Sequence, residues 1–134
     1  MTDHEYSAIP SGRGETVLLV DDDQAILELA KTMLENYRYL VLSASSSSEA
    51  IRLARQKEDS IDLMVTDVVM PAMNGRDLAG IIQVLQPQMK LLFMSGYTAD
   101  VISHHGVLDE GVHFIQKPFS VAEFLIKVQQ TLRS

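Results

Sequence analysis

The stretch Asp62-Leu63-Met64-Val65-Thr66-Asp67-Val68-Val69-Met70-Pro71-Ala72-Met73-Asn74-Gly75 decides how the rest of the chain is read. Leu63 to Thr66 is a short apolar, β-branched run of the kind that forms a strand buried on both faces, and it ends in a carboxylate, Asp67. In open parallel α/β sheets, ligands collect at the carboxyl ends of the strands, so an acid at that edge is a candidate for chemistry. Beyond Asp67 the chain turns to loop. Pro71 cannot continue a central strand, and Asn74-Gly75 is turn chemistry that can also start a helix. Taken alone, the stretch reads equally well as an ordinary strand exit that carries an acid.

Upstream, Thr16 to Val20 is an apolar strand ending in Asp21-Asp22-Asp23, after which Ile26, Leu29, Ala30, Met33 and Tyr37 recur at helical spacing. Leu40 to Ala44 is a second strand, and Ser46 with Glu49 fits a capping box for a helix carrying Ala50, Leu53 and Ala54. Downstream of the opening stretch, Leu78, Ile81, Ile82 and Leu85 give a third helix stopped before Pro87. Leu91 to Met94 is a fourth strand, and Ser95-Gly96-Tyr97-Thr98 leads into a weaker fourth helix ending near Gly106. Val112 to Ile115 is the fifth strand, with Lys117-Pro118-Phe119 just beyond it. Ser120 with Glu123 is a second capping box, Phe119 and Phe124 stand at staple positions, and Val121, Leu125, Val128 and Leu132 form the buried face of a last helix. Strands thus alternate with helices throughout, which implies a parallel sheet with right-handed crossovers and helices on both faces. Residues 1–14 lack periodicity and contain Pro10, Gly12 and Gly14, so they read as a flexible leader or linker ahead of a domain over 15–134.

Composition excludes several classes of function. The 134 residues make one domain of a size that needs neither metal nor disulfide to hold it together. With no cysteine there is no thiolate chemistry. A net charge of -7 argues against direct nucleic-acid binding through a general basic surface. The apolar runs are strand-sized and the N-terminus carries no apolar signal region, so direct membrane contact is not expected and a cytoplasmic location is.

A doubly wound sheet delivers the ends of strands one, three, four and five to one edge, and that edge receives Asp21 and Asp22, Asp67, Ser95 and Lys117. Crowded carboxylates repel one another unless a cation joins them. Mg²⁺ suits such a place, because it takes one or two carboxylates, keeps several waters and accepts a phosphoryl oxygen. Asp22 and Asp67 are expected to ligate it directly, and Asp21 directly or through water. A carboxylate beside Mg²⁺ and an ammonium is equipped to attack phosphorus: Asp67 as nucleophile, Lys117 and the metal neutralising the equatorial oxygens, and the Ser95 hydroxyl donating to one of them.

In these features the sequence resembles the receiver domain of two-component response regulators. The resemblance runs from Glu15 to Arg133 and rests on Val20-Asp21-Asp22, on Asp67 with Met70-Pro71 and Gly75, on Ser95-Gly96, and on Lys117-Pro118-Phe119. It implies a flavodoxin-like (βα)5 sandwich with strand order 2-1-3-4-5. It also implies that Asp67 accepts a phosphoryl group from a phosphohistidine on a sensor histidine kinase or histidine phosphotransfer protein. The Val69 carbonyl would join the metal shell, and the Lys117-Pro118 bond would be cis, an isomer that only X-Pro bonds make cheap. Phosphorylation would draw Ser95 inward and Phe114 after it, switching a face built from the fourth helix, the fifth strand and the last helix, through which a homodimer could form. Such a protein is a signalling module, with at most self-phosphorylation and autodephosphorylation as activity.

Three positions depart from the commonest pattern of that family. Phe114 stands where tyrosine is frequent, Val69 offers no polar side chain to hold an attacking water, and Tyr97 could screen the phosphoryl group, so slow autodephosphorylation is expected. Other conspicuous residues have plainer readings. Asp23 suits a helix N-terminus better than a third ligand, His104, His105 and His113 lack metal-site spacing, and the run Ser45 to Ser48 is loop and cap. The methionines are mostly core filler, with Met70 and Met73 in the loop after Asp67. Val101, Ile102, Val107 and Leu108 give the fourth helix an apolar character that suits core or a partner surface.

Two other functions compete. One is a small Mg-dependent phosphatase or phosphotransferase of the haloacid dehalogenase type with Asp21 as nucleophile; Asp21-Asp22-Asp23 has the acid-x-acid spacing, but position 25 is Ala where that class resembles Thr or Val. The other is a scaffold that binds partners without phosphorylation. Met94-Ser95-Gly96-Tyr97-Thr98 and Phe114-Ile115-Gln116-Lys117-Pro118-Phe119-Ser120 look like receivers at the C-terminal end of hybrid sensor histidine kinases, in which the first 14 residues would be linker.

Overall fold

The computed structural model describes residues 9–56, 60–96 and 112–134. Its elements run β1 (Thr16–Val20), α1 (Gln24–Asn36), β2 (Leu40–Ala44), α2 (Ser47–Gln56), β3 (Leu63–Asp67), α3 (Gly75–Leu85), β4 (Lys90–Ser95), β5 (Phe114–Gln116) and α4 (Val121–Leu132). The five strands form one parallel sheet in the order β2-β1-β3-β4-β5. That is the flavodoxin-like order. The fourth helix expected from sequence, with Tyr97, Val101, Ile102, His104, His105, Val107 and Leu108, lies outside the described residues.

Alternation along the strands divides the core into two layers. Val17 and Leu19 of β1, with Leu63, Val65, Leu92 and Met94, face Leu27, Ala30 and Leu34 of α1 and Phe124, Leu125 and Val128 of α4. Leu18 and Val20, with Met64 and Phe93, face Ala50 and Ala54 of α2 and Leu78 and Ile82 of α3. Strands β1 and β3 are therefore buried along their whole length, since both of their faces are covered.

Helix starts obey the capping chemistry of the sequence, with one displacement. Asp23 caps α1, accepting from the amides of Ala25 (2.9 Å) and Ile26 (3.3 Å), which settles it as a cap. At α4 the Ser120–Glu123 box closes in both directions, and Phe119 stacks on Phe124 with ring centroids 4.7 Å apart. At α2 the Glu49 amide donates to Ser46 Oγ at 3.2 Å, but the Glu49 carboxylate accepts from Ser45 N (2.9 Å), one residue before the box would place it.

Two expected spans shift. The fifth strand occupies Phe114–Gln116 where the apolar run suggested Val112 to Ile115. Its pairing is with the last half of β4, Phe93 to Ser95, and the Lys117 amide continues the ladder to Ser95 O at 2.8 Å, drawing the strand toward its carboxyl end. Residues 9–14, expected as part of a flexible leader, are hydrogen-bonded to the domain: Gly12 N donates to Tyr37 O (2.7 Å) and Gly14 N to Arg38 O (3.0 Å), while Ile9 rests on the α1–α4 core. No helix among the described residues is long and apolar enough to cross a membrane.

Candidate phosphoryl-acceptor site

Parallel strands in this order bring the ends of β1, β3, β4 and β5 together, and Asp21, Asp67, Ser95 and Lys117 meet there. Asp21 is fully buried. Its carboxylate accepts from Lys117 Nζ at 2.7 Å and from the Asp23 amide at 2.9 Å, while its own amide donates to Ala44 O at 3.2 Å. Lys117 Nζ lies 3.6 Å from the Asp67 carboxylate, so one ammonium stands between two acids. Asp22 is exposed, yet one carboxylate oxygen each from Asp21, Asp22 and Asp67 lie within 4.8 Å of one another.

The electrostatics reflect this crowding. Burial, with Asp21 and Asp22 adding to it, outweighs the Lys117 ammonium and a backbone hydrogen bond from Val69, and pushes the Asp67 carboxyl up to about 6. Three carboxylates with one ammonium leave a charge deficit that a hard divalent cation would remove, so the donor set fits Mg²⁺. Val69, next but one to Asp67, is half exposed.

The loop after Asp67 is held by requirements that the sequence only hinted at. Val68 N donates to Met94 O (3.0 Å) and Gly75 N to Val68 O (2.8 Å), folding the loop back over β3 and β4. A Cβ on Gly75 would meet the Asp67 carbonyl oxygen at 2.2 Å, so only glycine fits against the backbone of the acid. The Thr66 hydroxyl also donates to that carbonyl (3.0 Å). Ala72 adopts φ 68°, an αL position within the same loop. In the sequence Gly75 is marked only by the Asn74-Gly75 pair and by its place in the family motif, neither of which gives its steric role, and Thr66's bond has no signature.

Ser95, at the end of β4, is buried, and its carbonyl holds the Lys117 amide at 2.8 Å, so Lys117 is placed from β4 as well as from β5. The Lys117-Pro118 bond is cis. Phe114 is half-buried beside the α2–α3 core and pairs in register with Phe93. The buried, doubly anchored carboxylate of Asp21 contrasts with the more accessible Asp67, which disfavours a phosphatase that would use Asp21 as nucleophile.

The family model for the response regulator receiver domain matches residues 17–129. Sensor kinase CckA of Brucella abortus is 33% identical over 117 residues, covering 87% of this chain and 12% of that protein. Response regulator SaeR of Staphylococcus aureus is 28% identical over 116 residues, covering 87% of this chain and 50% of the relative, so the chain spans at most half of these proteins. The crystal structure of the receiver domain from the hybrid histidine kinase CckA superposes with a TM-score of 0.74 at 29% identity, covering 87% of this chain and 98% of that one.

Proposed function

The chain belongs to the response regulator receiver domain family, and from that premise we propose that its phospho-acceptor is the Asp67 carboxylate. The observation that carries this reading is the placement of Asp67: at the end of the central strand, 3.6 Å from Lys117 Nζ and within 4.8 Å of two further carboxylates. A carboxylate oxygen of Asp67 attacks the phosphorus of a phosphohistidine; the new P–O bond forms as the P–N bond breaks, and the imidazole leaves with the electron pair. Lys117 neutralises charge on the transferring group, and the Ser95 hydroxyl donates to one of its oxygens once it has arrived. Asp22 and Asp67, with Asp21 directly or through water and the Val69 carbonyl, would hold Mg²⁺, which supplies charge neutralisation at the phosphoryl oxygens when bound.

The donor is a sensor histidine kinase or a histidine phosphotransfer protein, the partners with which receiver domains exchange phosphate. Phe114 and Ser95 form the switch pair, and the domain extends over residues 15–134. A homodimer through β5, α4 and the segment between β4 and β5 would be one output of the switch. The receiver of a hybrid kinase is the context that the likeness to CckA favours.

The test is intact mass after incubation with Mg²⁺ and acetyl phosphate, beside Asp67→Asn. Wild type is expected to gain one phosphoryl group and Asp67→Asn none. A variant that still gained it would move the acceptor to the β1 acids, and the proposed chemistry would fail.

A further inference from the structure

A cavity of about 330 Å³ opens at the pole of the sheet opposite Asp67, where the strands begin. Its wall includes the chain ahead of β1. Ser11, Arg13 and Glu15 line it, every second residue, as an extended arm disposes its side chains. The intervening Gly12 lies against the ring of Tyr39, where a Cβ would come within 2.6 Å, so the arm seats only because position 12 is glycine.

Three features of the cavity point to a ligand. Tyr39 is buried as a residue and borders the cavity; no buried side-chain polar atom among the described residues lacks a partner, so its hydroxyl, which makes no hydrogen bond among them, is open to the cavity. Burial first and Glu15 second push its pKa up against the opposing pull of Arg133, and a phenol is in any case protonated at neutral pH. The guanidinium groups of Arg13 and Arg133 make no ion pair among the described residues, whereas Lys90 is taken by Ser134 O at 2.7 Å. Glu15 and Asp62 each commit one carboxylate oxygen to a backbone amide, of Arg13 and Thr16, and have a second oxygen to offer. With Lys90 held by Ser134, Arg13 and Arg133 are the cations that this wall presents beside its two acids.

We propose that this cavity binds a small hydroxylated organic anion, of the sugar phosphate or hydroxy acid class, through Arg13, Arg133 and Tyr39. The two guanidinium forks suit the paired oxygens of a phosphate or carboxylate. The Tyr39 phenol supplies a third donor, and the second oxygens of Glu15 and Asp62 accept from the ligand's hydroxyls. Inorganic phosphate can offer those acids only a P–OH on the anion itself, without a carbon framework to carry hydroxyls to both. The site is remote from Asp67 and independent of the phosphoryl chemistry there.

The experiment is an amide-detected NMR titration of the full chain at fixed ionic strength, with glucose 6-phosphate, citrate, glucose and inorganic phosphate as separate probes. Saturable shifts at Arg13, Tyr39 and Asp62 are expected with glucose 6-phosphate or citrate, weakened about tenfold in Arg133→Gln, an exposed position. Tyr39→Phe, which keeps the ring against Gly12, should weaken binding with the fold intact. The proposal is overturned by absence of saturable shifts with both organic anions at millimolar concentration, by unchanged affinity in Arg133→Gln, or by glucose or inorganic phosphate binding equally well.

Discussion

Asp67 is unusual in being easier to protonate folded than unfolded. Its carboxyl is pushed up to about 6 from 3.8, so the native state takes up a proton that the unfolded chain does not between those values. In the absence of metal, this group's contribution to stability therefore rises as pH falls from about 6 toward 3.8, and the charged form is a burden above 6. Asp67→Asn should be more stable than wild type at pH 7 by up to about 3 kcal/mol, with about half of that gap remaining at pH 5. Urea unfolding of both proteins at the two pH values checks it, and equal midpoints at pH 7 would contradict it. Val69 supports a second prediction at this scale. Its apolar, half-exposed side chain gives no purchase to a water attacking the acyl phosphate, so Val69→Asn should shorten the phospho-protein lifetime by roughly tenfold. Decay followed by intact mass measures this, and a lifetime unchanged or lengthened would refute it.

At the scale of elements, α4 anchors the end of the domain through chemistry packed into one turn. The Ser120–Glu123 box satisfies amides at both ends of the exchange, and the Phe119–Phe124 stack fixes the angle at which the Lys117 loop enters the helix. Ser120→Ala should cost about 1 kcal/mol in thermal or chemical unfolding, while leaving Lys117 with its backbone bond to Ser95 and acetyl phosphate labelling largely intact. Much of this level was legible in the sequence. β1 and β2 fall on the apolar runs because both their limits are set by local pattern: glycine and acids bound β1, and a turn and serines bound β2. The fifth strand was less legible, because its limits come from which residues of β4 remain to pair with it and from the pull of Ser95 on Lys117, neither of which is local. The same holds for Gly75, whose need is imposed by the Asp67 carbonyl across the loop. In the arm, absence of periodicity marked flexible chain, yet two backbone bonds and a glycine-on-tyrosine contact seat it.

For the whole molecule, the acids gathered at one edge hold a store of repulsion that binding of a cation relieves. Mg²⁺ at a hundred times its dissociation constant should raise the unfolding free energy by about 2.7 kcal/mol, provided only the native state binds it. The gain should fall away as pH drops below about 6, where Asp67 takes a proton in place of the metal. Denaturant unfolding with and without Mg²⁺ at pH 7.5 and pH 5 tests this, taking those pH values as about 1.5 and 1 units to either side of the Asp67 midpoint. A gain independent of pH would place the ion away from Asp67.

The two ends of the described chain share one pole. Gly12 and Gly14 are tied beside the start of β2, and the Ser134 carbonyl is held by Lys90 at the start of β4, whereas the acids sit where the strands finish. Mechanically the domain resembles a plug with both leads at the back and its contacts at the front. Other sequence could be spliced on at either lead, or the whole unit inserted into a longer polypeptide, without a tether crossing the face that a phosphate donor must approach. A module wired in this way is portable, and proteins of very different length can carry it with the same chemistry facing outward.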